Sequence, residues 1–207
     1  MNPDGFTSIL TKLQRKILVS KSDSSLNALA RVTIMNRETT CRKIYRQAFC
    51  DPDTIFEDIL FEHCFKYSKT LELGEDTVSM LFALPCSLMC VDEKKPAIYI
   101  YAAATDKPFR GKGYMSHLIE KLKTDTEKTI FLRPANESLI GFYEKLGFKT
   151  ISTYNQKENS LRLEPEEGFE KLVKSSGLPD DAEDFILMYY SKSEEINERV
   201  YFVNSMD

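Results

Sequence analysis

The sequence predicts an α/β domain, a mixed sheet carrying helices on both of its faces. Three observations lead there. Segments of strand period alternate with segments of helical period along most of the chain. One strand-like segment, Ala97–Ala104, is apolar without interruption, as befits a strand buried on both faces. A turn containing two glycines then leads from it directly into an amphipathic helix. With 207 residues, the chain is long enough for one domain with a continuous core.

The elements follow in order. Phe6, Ile9, Leu10, Leu13, Ile17 and Leu18 form a stripe at helical spacing, so residues 1–28 are expected to be a helical extension that ends in a polar linker. The main domain is expected over 29–190. Ala30–Met35 alternates with strand period, and Glu38–Phe49 reads as a helix. Asp51-Pro52-Asp53 breaks the pattern, and Asp53 is placed to cap a second helix through Phe65, with Ile55, Phe56, Ile59, Leu60 and Phe65 inside. Thr70–Leu73 and Val78–Met89 flank the polar turn Gly74-Glu75-Asp76 as a hairpin. Pro85 removes one ladder donor from it and marks a bulge or an edge position.

Beyond the glycine turn, Tyr114–Leu122 presents Met115, Leu118, Ile119 and Leu122 on one helical face. Thr129–Leu132 is a short strand. Pro134-Ala135-Asn136 opens a helix that closes at Leu146-Gly147-Phe148, with Gly147 in a left-handed terminal position and Phe148 folding back on Phe142 or Tyr143. Phe148–Thr153 and Phe185–Tyr190 are the last strands. They are separated by an acidic insertion over 155–183, in which Pro165–Lys174 is expected to be helical, and residues 191–207 form a tail.

Composition narrows the function. The net charge of −4 gives no electrostatic footprint for nucleic acid. No apolar run reaches the ~18 residues of a membrane span, and Met1–Gly5 lacks the basic flank of a secretory signal. Five cysteines, an odd number without C-x-x-C spacing, fit reduced thiols in a cytoplasm. Two histidines and scattered thiols do not make a metal set, and no metal is expected.

The chemistry concentrates in the stretch from Ala102 to Ser116. A helix N-terminus leaves its first amides unpaired and carries partial positive charge, which suits a pyrophosphate. Gly111 and Gly113 let the main chain approach the phosphates, and Arg110 and Lys112 add positive charge. Neither the third glycine of a dinucleotide fingerprint nor a Walker Gly-Lys-Ser/Thr is present.

Arg110-Gly111-Lys112-Gly113 resembles the R/Q-x-x-G-x-G/A signature of the GNAT superfamily of N-acetyltransferases. The stretch from Asn136 to Phe148 is similar to that family's second cofactor-side motif, with Tyr143 at its tyrosine. Met115 departs from the small residue that is usual there. The resemblance implies the GNAT fold, acetyl-CoA as co-substrate and transfer to an amine. It implies that Ala103, Ala104 and Thr105 hydrogen-bond the pantetheine arm where two parallel strands splay. The amides of Arg110, Gly111, Lys112, Gly113, Tyr114 and Met115 would hold the pyrophosphate, Asn136 would contact the arm or cap its helix, and Tyr143 would protonate the departing thiolate. Tyr143 also has a plain reading as an aromatic packed under its helix. The acceptor is expected to be a small-molecule or peptide amine, and the acidic insertion leans towards a cationic one. Glu57, Asp58, Glu62 and His63 are candidate bases or amine anchors, though each is more simply read as part of a solvated helix face. The alternative function is a non-catalytic GNAT-fold module that binds acyl-CoA, and the oligomeric state, a homodimer included, is open.

Overall fold

The computed structural model describes residues 33–50, 54–90, 93–152, 161–165, 186–193, 195–196 and 200–202. The expected helix over 6–20, its linker, the Asp53 cap and residues 166–174 lie outside them. The chain divides into two compact units, Met1–Thr40 and Cys41–Asp207. Helix α1 (residues 33–49) contributes 33–40 to the first and 41–49 to the second. In the first unit the Thr39 and Thr40 hydroxyls donate to the carbonyls of Met35 and Asn36. The expected strand over Ala30–Met35 is therefore corrected, since residues 33–35 are helical. Its alternation had no buried face to serve, because Ile34 and Met35 are both exposed. The 3–4 spacing that continues into Cys41, Ile44 and Tyr45 prevails over β-branched propensity.

In the second unit α1 is followed by α2 (Thr54–Cys64), β1 (Ser68–Leu73), β2 (Asp76–Cys90), β3 (Glu93–Thr105), α3 (Tyr114–Asp125), β4 (Thr129–Leu132), α4 (Ile140–Lys145), β5 (Lys149–Ser152), β6 (Leu161–Pro165), β7 (Ile186–Tyr190) and β8 (Val200–Phe202). The strands form one mixed sheet in the order β5-β7-β4-β3-β2-β6-β8, and β1 also pairs with β2. The 15-residue β2 is long enough to take two partners along one edge. β1 covers it from Asp76 to Phe82 and β6 from Cys86 to Met89. Pro85 sits between them, where that edge has no partner strand among the described residues, so the edge reading holds; the bulge lies elsewhere.

Two corrections concern the insertion and the tail. Pro165 is the last residue of β6, opposite Cys86, and does not start a helix. Val200–Phe202 of the expected tail pairs in parallel with β6. A smaller correction concerns α2. It ends at Cys64, with Phe65 in a following 3-10 turn, and Ile55, expected inside, is 72% exposed.

Both faces of the sheet are covered. Met80, Phe82, Leu84, Tyr99 and Phe131 meet α1 and α2 through Ile44, Tyr45, Leu60 and Phe61. Leu81, Ala83, Ile100, Ile130 and Leu132 meet α3 and α4 through Leu118, Ile119, Leu122 and Tyr143. The strand period of two sorts these residues, until β3 breaks it. Met80 stands opposite Ala104 but Phe82 opposite Tyr101, so β3 carries one extra residue, and Ala102 there has φ 51°. The bulge shifts the parity. Tyr101 and Ala102 both pack on the α1–α2 side, and Ala103 then turns to the α3–α4 side.

Helix α4 stops as the sequence predicts. Gly147 has φ 80°, its N–H bonds the Glu144 carbonyl at 2.8 Å, and the Phe148 N–H returns to the Tyr143 carbonyl at 3.1 Å. The Phe148 ring meets the Tyr143 ring edge-on at 5.8 Å, completing a Schellman closure. The buried Lys123 ammonium braces it from α3, bonding the Leu146 carbonyl at 2.8 Å and lying 4.2 Å from the Tyr190 ring centre. A Cβ on Gly147 would meet nothing closer than 3.7 Å, so backbone handedness is what selects glycine here. Gly147→Ala is expected to lower stability by about 1–2 kcal/mol in chemical denaturation, and Gly147→Asn by less, since asparagine tolerates the left-handed region.

Candidate functional site

The site begins where two parallel strands part. β3 and β4 pair from Ala97/Thr129 to Ile100/Leu132. There β4 ends, while β3 runs on to Thr105, held on its other edge by β2. From Tyr101 to Thr105, β3 therefore has a main-chain edge with no strand on the β4 side among the described residues. Ala103 and Ala104 lie on this edge. The Thr105 side chain is engaged elsewhere, its hydroxyl 2.8 Å from that of Ser79, and its carbonyl accepts from Arg110 Nε at 2.9 Å.

The turn that follows is fixed at its root. Asp106 is buried, its N–H bonds the Val78 carbonyl at 2.9 Å, and its carboxylate meets Lys43 Nζ at 3.2 Å. A 3-10 turn over Lys107–Phe109 brings the chain to Arg110–Gly113, all exposed. Gly111 and Gly113 have φ 74° and 82°, and a Cβ on either would meet nothing within 4 Å. Without a ligand, their glycine character is a demand of backbone handedness rather than of crowding. Gly113 sits at the N-cap of α3, and its carbonyl takes the first helical bond from the His117 N–H at 3.0 Å. By helix geometry the amides of residues 114–116 have no acceptor within the helix, and they open onto the exposed turn. Lys112 Nζ rests 5.3 Å from the Phe109 ring centre. Met115 packs on the core around Leu118 and Tyr143, which takes its side chain off the turn. The assembly joins a helix N-terminus of the kind that suits an anion to an open strand edge.

On α4, Tyr143 is 7% exposed, with the Phe142 ring at 5.0 Å and the Phe148 ring at 5.8 Å. Burial pushes its phenol up to about 12, so at neutral pH it keeps its proton. Asn136 occupies the N-cap position of the 3-10 turn Glu137–Leu139 without a side-chain cap bond. Its Oδ1 accepts from the Ser138 hydroxyl instead.

The parting strands border a cleft of about 290 Å³. Tyr45 and Phe49 of α1 wall one side, residues 99–102 of β3 another, and Arg133, Pro134 and Ala135 the third. None of the four candidate bases on α2 lines it. Glu57, only 3% exposed, instead clasps α2 to α1, with Arg42 at 3.1 Å and Arg46 at 2.7 Å, while Arg42 lies 4.5 Å over the Phe61 ring. Asp58 joins Arg42 at 2.8 Å from the exposed side. Sequence reasoning passed over Tyr45, Phe49, Tyr99, Tyr101 and Arg133. The legible signal was aromatic pairing at helical (45, 49) and strand (99, 101) spacing.

Residues 39–148, more than half of the chain, match the model of the acetyltransferase (GNAT) family. No curated protein matches. Solved structures of similar fold include a probable N-acyltransferase from Enterococcus faecalis (19% identity, TM-score 0.48), covering 56% of this chain and 33% of that one. They also include histone acetyltransferase HPA2 and related acetyltransferase from Corynebacterium glutamicum (15%, TM-score 0.49), covering 76% and 92%. A third is the Bacillus subtilis N-acetyltransferase YlbP, in complex with coenzyme A (14%, TM-score 0.37), covering 59% and 66%. The chain thus spans about a third of the Enterococcus protein's length.

The clasp on Glu57 generates a prediction. Glu57→Gln keeps the shape but removes a buried charge that two guanidiniums share, and is expected to cost about 1–3 kcal/mol in denaturant unfolding. Asp58→Asn, exposed, is expected to cost less than about 1 kcal/mol.

Proposed function

Since the chain belongs to the acetyltransferase (GNAT) family, we propose that it transfers an acetyl group from acetyl-CoA to a primary amine by direct attack. The observation that carries this reading is the continuity of the open β3 edge, from Tyr101 to Thr105, with the glycine turn at the mouth of α3.

The residues fit the co-substrate in three places. The main chain of Ala103, Ala104 and Thr105 offers a strand edge to an extended arm that carries amides. The amides of 110–115, with the Arg110 and Lys112 side chains at the rim, take a diphosphate. Asn136, exposed beyond β4, would contact the arm. Bound acetyl-CoA supplies an activated thioester carbonyl.

The protein's own contribution is positional and electrostatic. The bulge at Ala102 interrupts the regular ladder beside the cleft that Tyr101 and Ala102 line, and a main-chain N–H there is suited to polarise a carbonyl. Tyr143 holds a proton in an apolar setting and donates it to the leaving sulfur. Orienting the amine against the carbonyl accounts for the remaining acceleration, without a covalent enzyme intermediate. A cytoplasmic setting goes with this reading, since the exposed thiol of Cys50 and the buried ones of Cys41, Cys64 and Cys86 are all unbridged.

Thermal shift against acetyl-CoA, CoA and ATP tests the binding half. At ~100 times its dissociation constant, acetyl-CoA is expected to stabilise the fold by ~2.7 kcal/mol, with ATP inert at that concentration. Stabilisation without thiol release from any amine would instead assign a non-catalytic acyl-CoA-binding module.

Tyr143→Phe is expected to lower kcat roughly hundredfold while acetyl-CoA affinity stays within about twofold; unchanged turnover would remove Tyr143 from the mechanism. The pH dependence follows from the raised phenol. The rate rises as the acceptor amine deprotonates and shows no descending limb from Tyr143 until pH approaches about 12.

A further inference from the structure

We infer that Lys43 is a positioning residue for the transfer. Through its ion pair with Asp106 it sets α1 between the glycine turn and the cleft, so that a diphosphate in the turn strengthens binding of the acceptor amine in the cleft. The inference rests on the acetyl-CoA reading and adds to it a link between the two substrates.

One half of the link is the root of the turn. Asp106 is buried, and its main chain is bonded on both sides: its N–H donates to the Val78 carbonyl and its own carbonyl accepts from the Phe109 N–H, each at 2.9 Å. Its carboxylate is withdrawn from water, and Lys43 Nζ lies 3.2 Å from Oδ2. A second contact falls one helical turn further along α1, where the Lys107 N–H donates to Gln47 Oε1 at 3.5 Å. The segment that leads to Arg110–Gly113 is thus held by α1 as well as by β2.

The other half is the opposite flank of the same helix. At about 3.6 residues per turn, positions two apart stand on roughly opposite sides. Lys43 and Gln47 face the turn, while Tyr45 and Phe49 line the cleft with residues 99–102 of β3. Ile44, fully buried, seats the helix on the sheet between the two flanks. All of these contacts lie within the unit Cys41–Asp207.

A pair between two exposed charges would couple little. Here one partner is buried, and taking Lys43 away strands the Asp106 charge. The turn and the helix are therefore held to a common position. A ligand that rigidifies the turn restricts α1 in the same step, and the amine then meets a cleft wall already set. By linkage the effect is reciprocal, each substrate tightening the other by the same factor.

The test compares wild-type protein with Lys43→Met, Lys43→Arg and the double variant Lys43→Met/Asp106→Asn, with CoA alone as the probe. Hydrogen exchange is followed in residues 41–50 of α1 and 107–113 of the turn. In the wild type CoA is expected to slow exchange in both. In Lys43→Met the turn should be protected as before, with the CoA Kd within about twofold, while the slowing in α1 falls roughly fivefold or more; Lys43→Arg should restore it. The double variant removes the stranded charge, so its Tm should return towards the wild-type value while α1 stays uncoupled. Coupling that returns together with Tm makes Lys43 a stability residue only and overturns the inference. Undiminished slowing of α1 in Lys43→Met overturns it too. So does a Kd for CoA weakened about tenfold there, which would make Lys43 a phosphate ligand.

The underlying reading fails in a different pattern. CoA that protects neither segment of the wild type retires the acetyl-CoA reading and the inference with it. Protection confined to the turn retires the inference alone. With any amine that supports thiol release at saturating acetyl-CoA, Lys43→Met is expected to raise the amine KM about fivefold with kcat within about twofold, and an unchanged KM overturns the inference.

Discussion

The site depends on one main-chain event, the loss of pairing between β3 and β4 after Ile100 and Leu132. The proposed site lies along its edges. The open edge of β3 lies on one side, the segment Arg133–Ala135 on the other, and the glycine turn at the far end. Two constraints hold the gap open. An extra residue in β3, with Ala102 at φ 51°, bends the strand away, and the β2 ladder with the Ser79–Thr105 hydroxyl bridge keeps it from relaxing back. A non-glycine residue in that region costs energy, and the β2 ladder beside it holds it in place.

The glycine turn and the cleft are held by different means. The turn is anchored through Asp106, which ties its root to the backbone of β2 and to the side chain of Lys43. The cleft is walled by α1, and α1 in turn is clamped to α2 by a shared buried carboxylate. Glu57 thus acts at a distance, through helix placement, although as an acid on α2 it first reads as a candidate base. A buried charge with two partners more often records such a clamp than chemistry.

Much of this was legible in the sequence because local physics wrote it there. The Gly147 closure, the Gly74 turn and the glycine mouth of α3 each need a left-handed residue at a particular point in a periodic pattern, and those glycines are visible. The bulge was not legible. Ala97–Ala104 is apolar at every position, so a change of parity leaves no trace in its hydrophobic pattern. The helix over residues 33–35 was hidden for a related reason. Its exposed Ile34 and Met35 mimic strand alternation, and only the packing of residues further along shows the true period. The cleft escaped because its lining comes from three separated segments that only the fold brings together.

The long strand β2 also imposes an order on assembly. Its edge along Cys86–Met89 is closed by Leu161–Pro165, more than seventy positions later, and the outer edge of that strand is closed in turn by Val200–Phe202. During synthesis the earlier strands emerge from the ribosome while this edge is still bare. For that interval the nascent chain presents a row of unsatisfied donors and acceptors to any other polypeptide in reach. The strand that seals it, Leu161–Pro165, is translated only after β1 to β5.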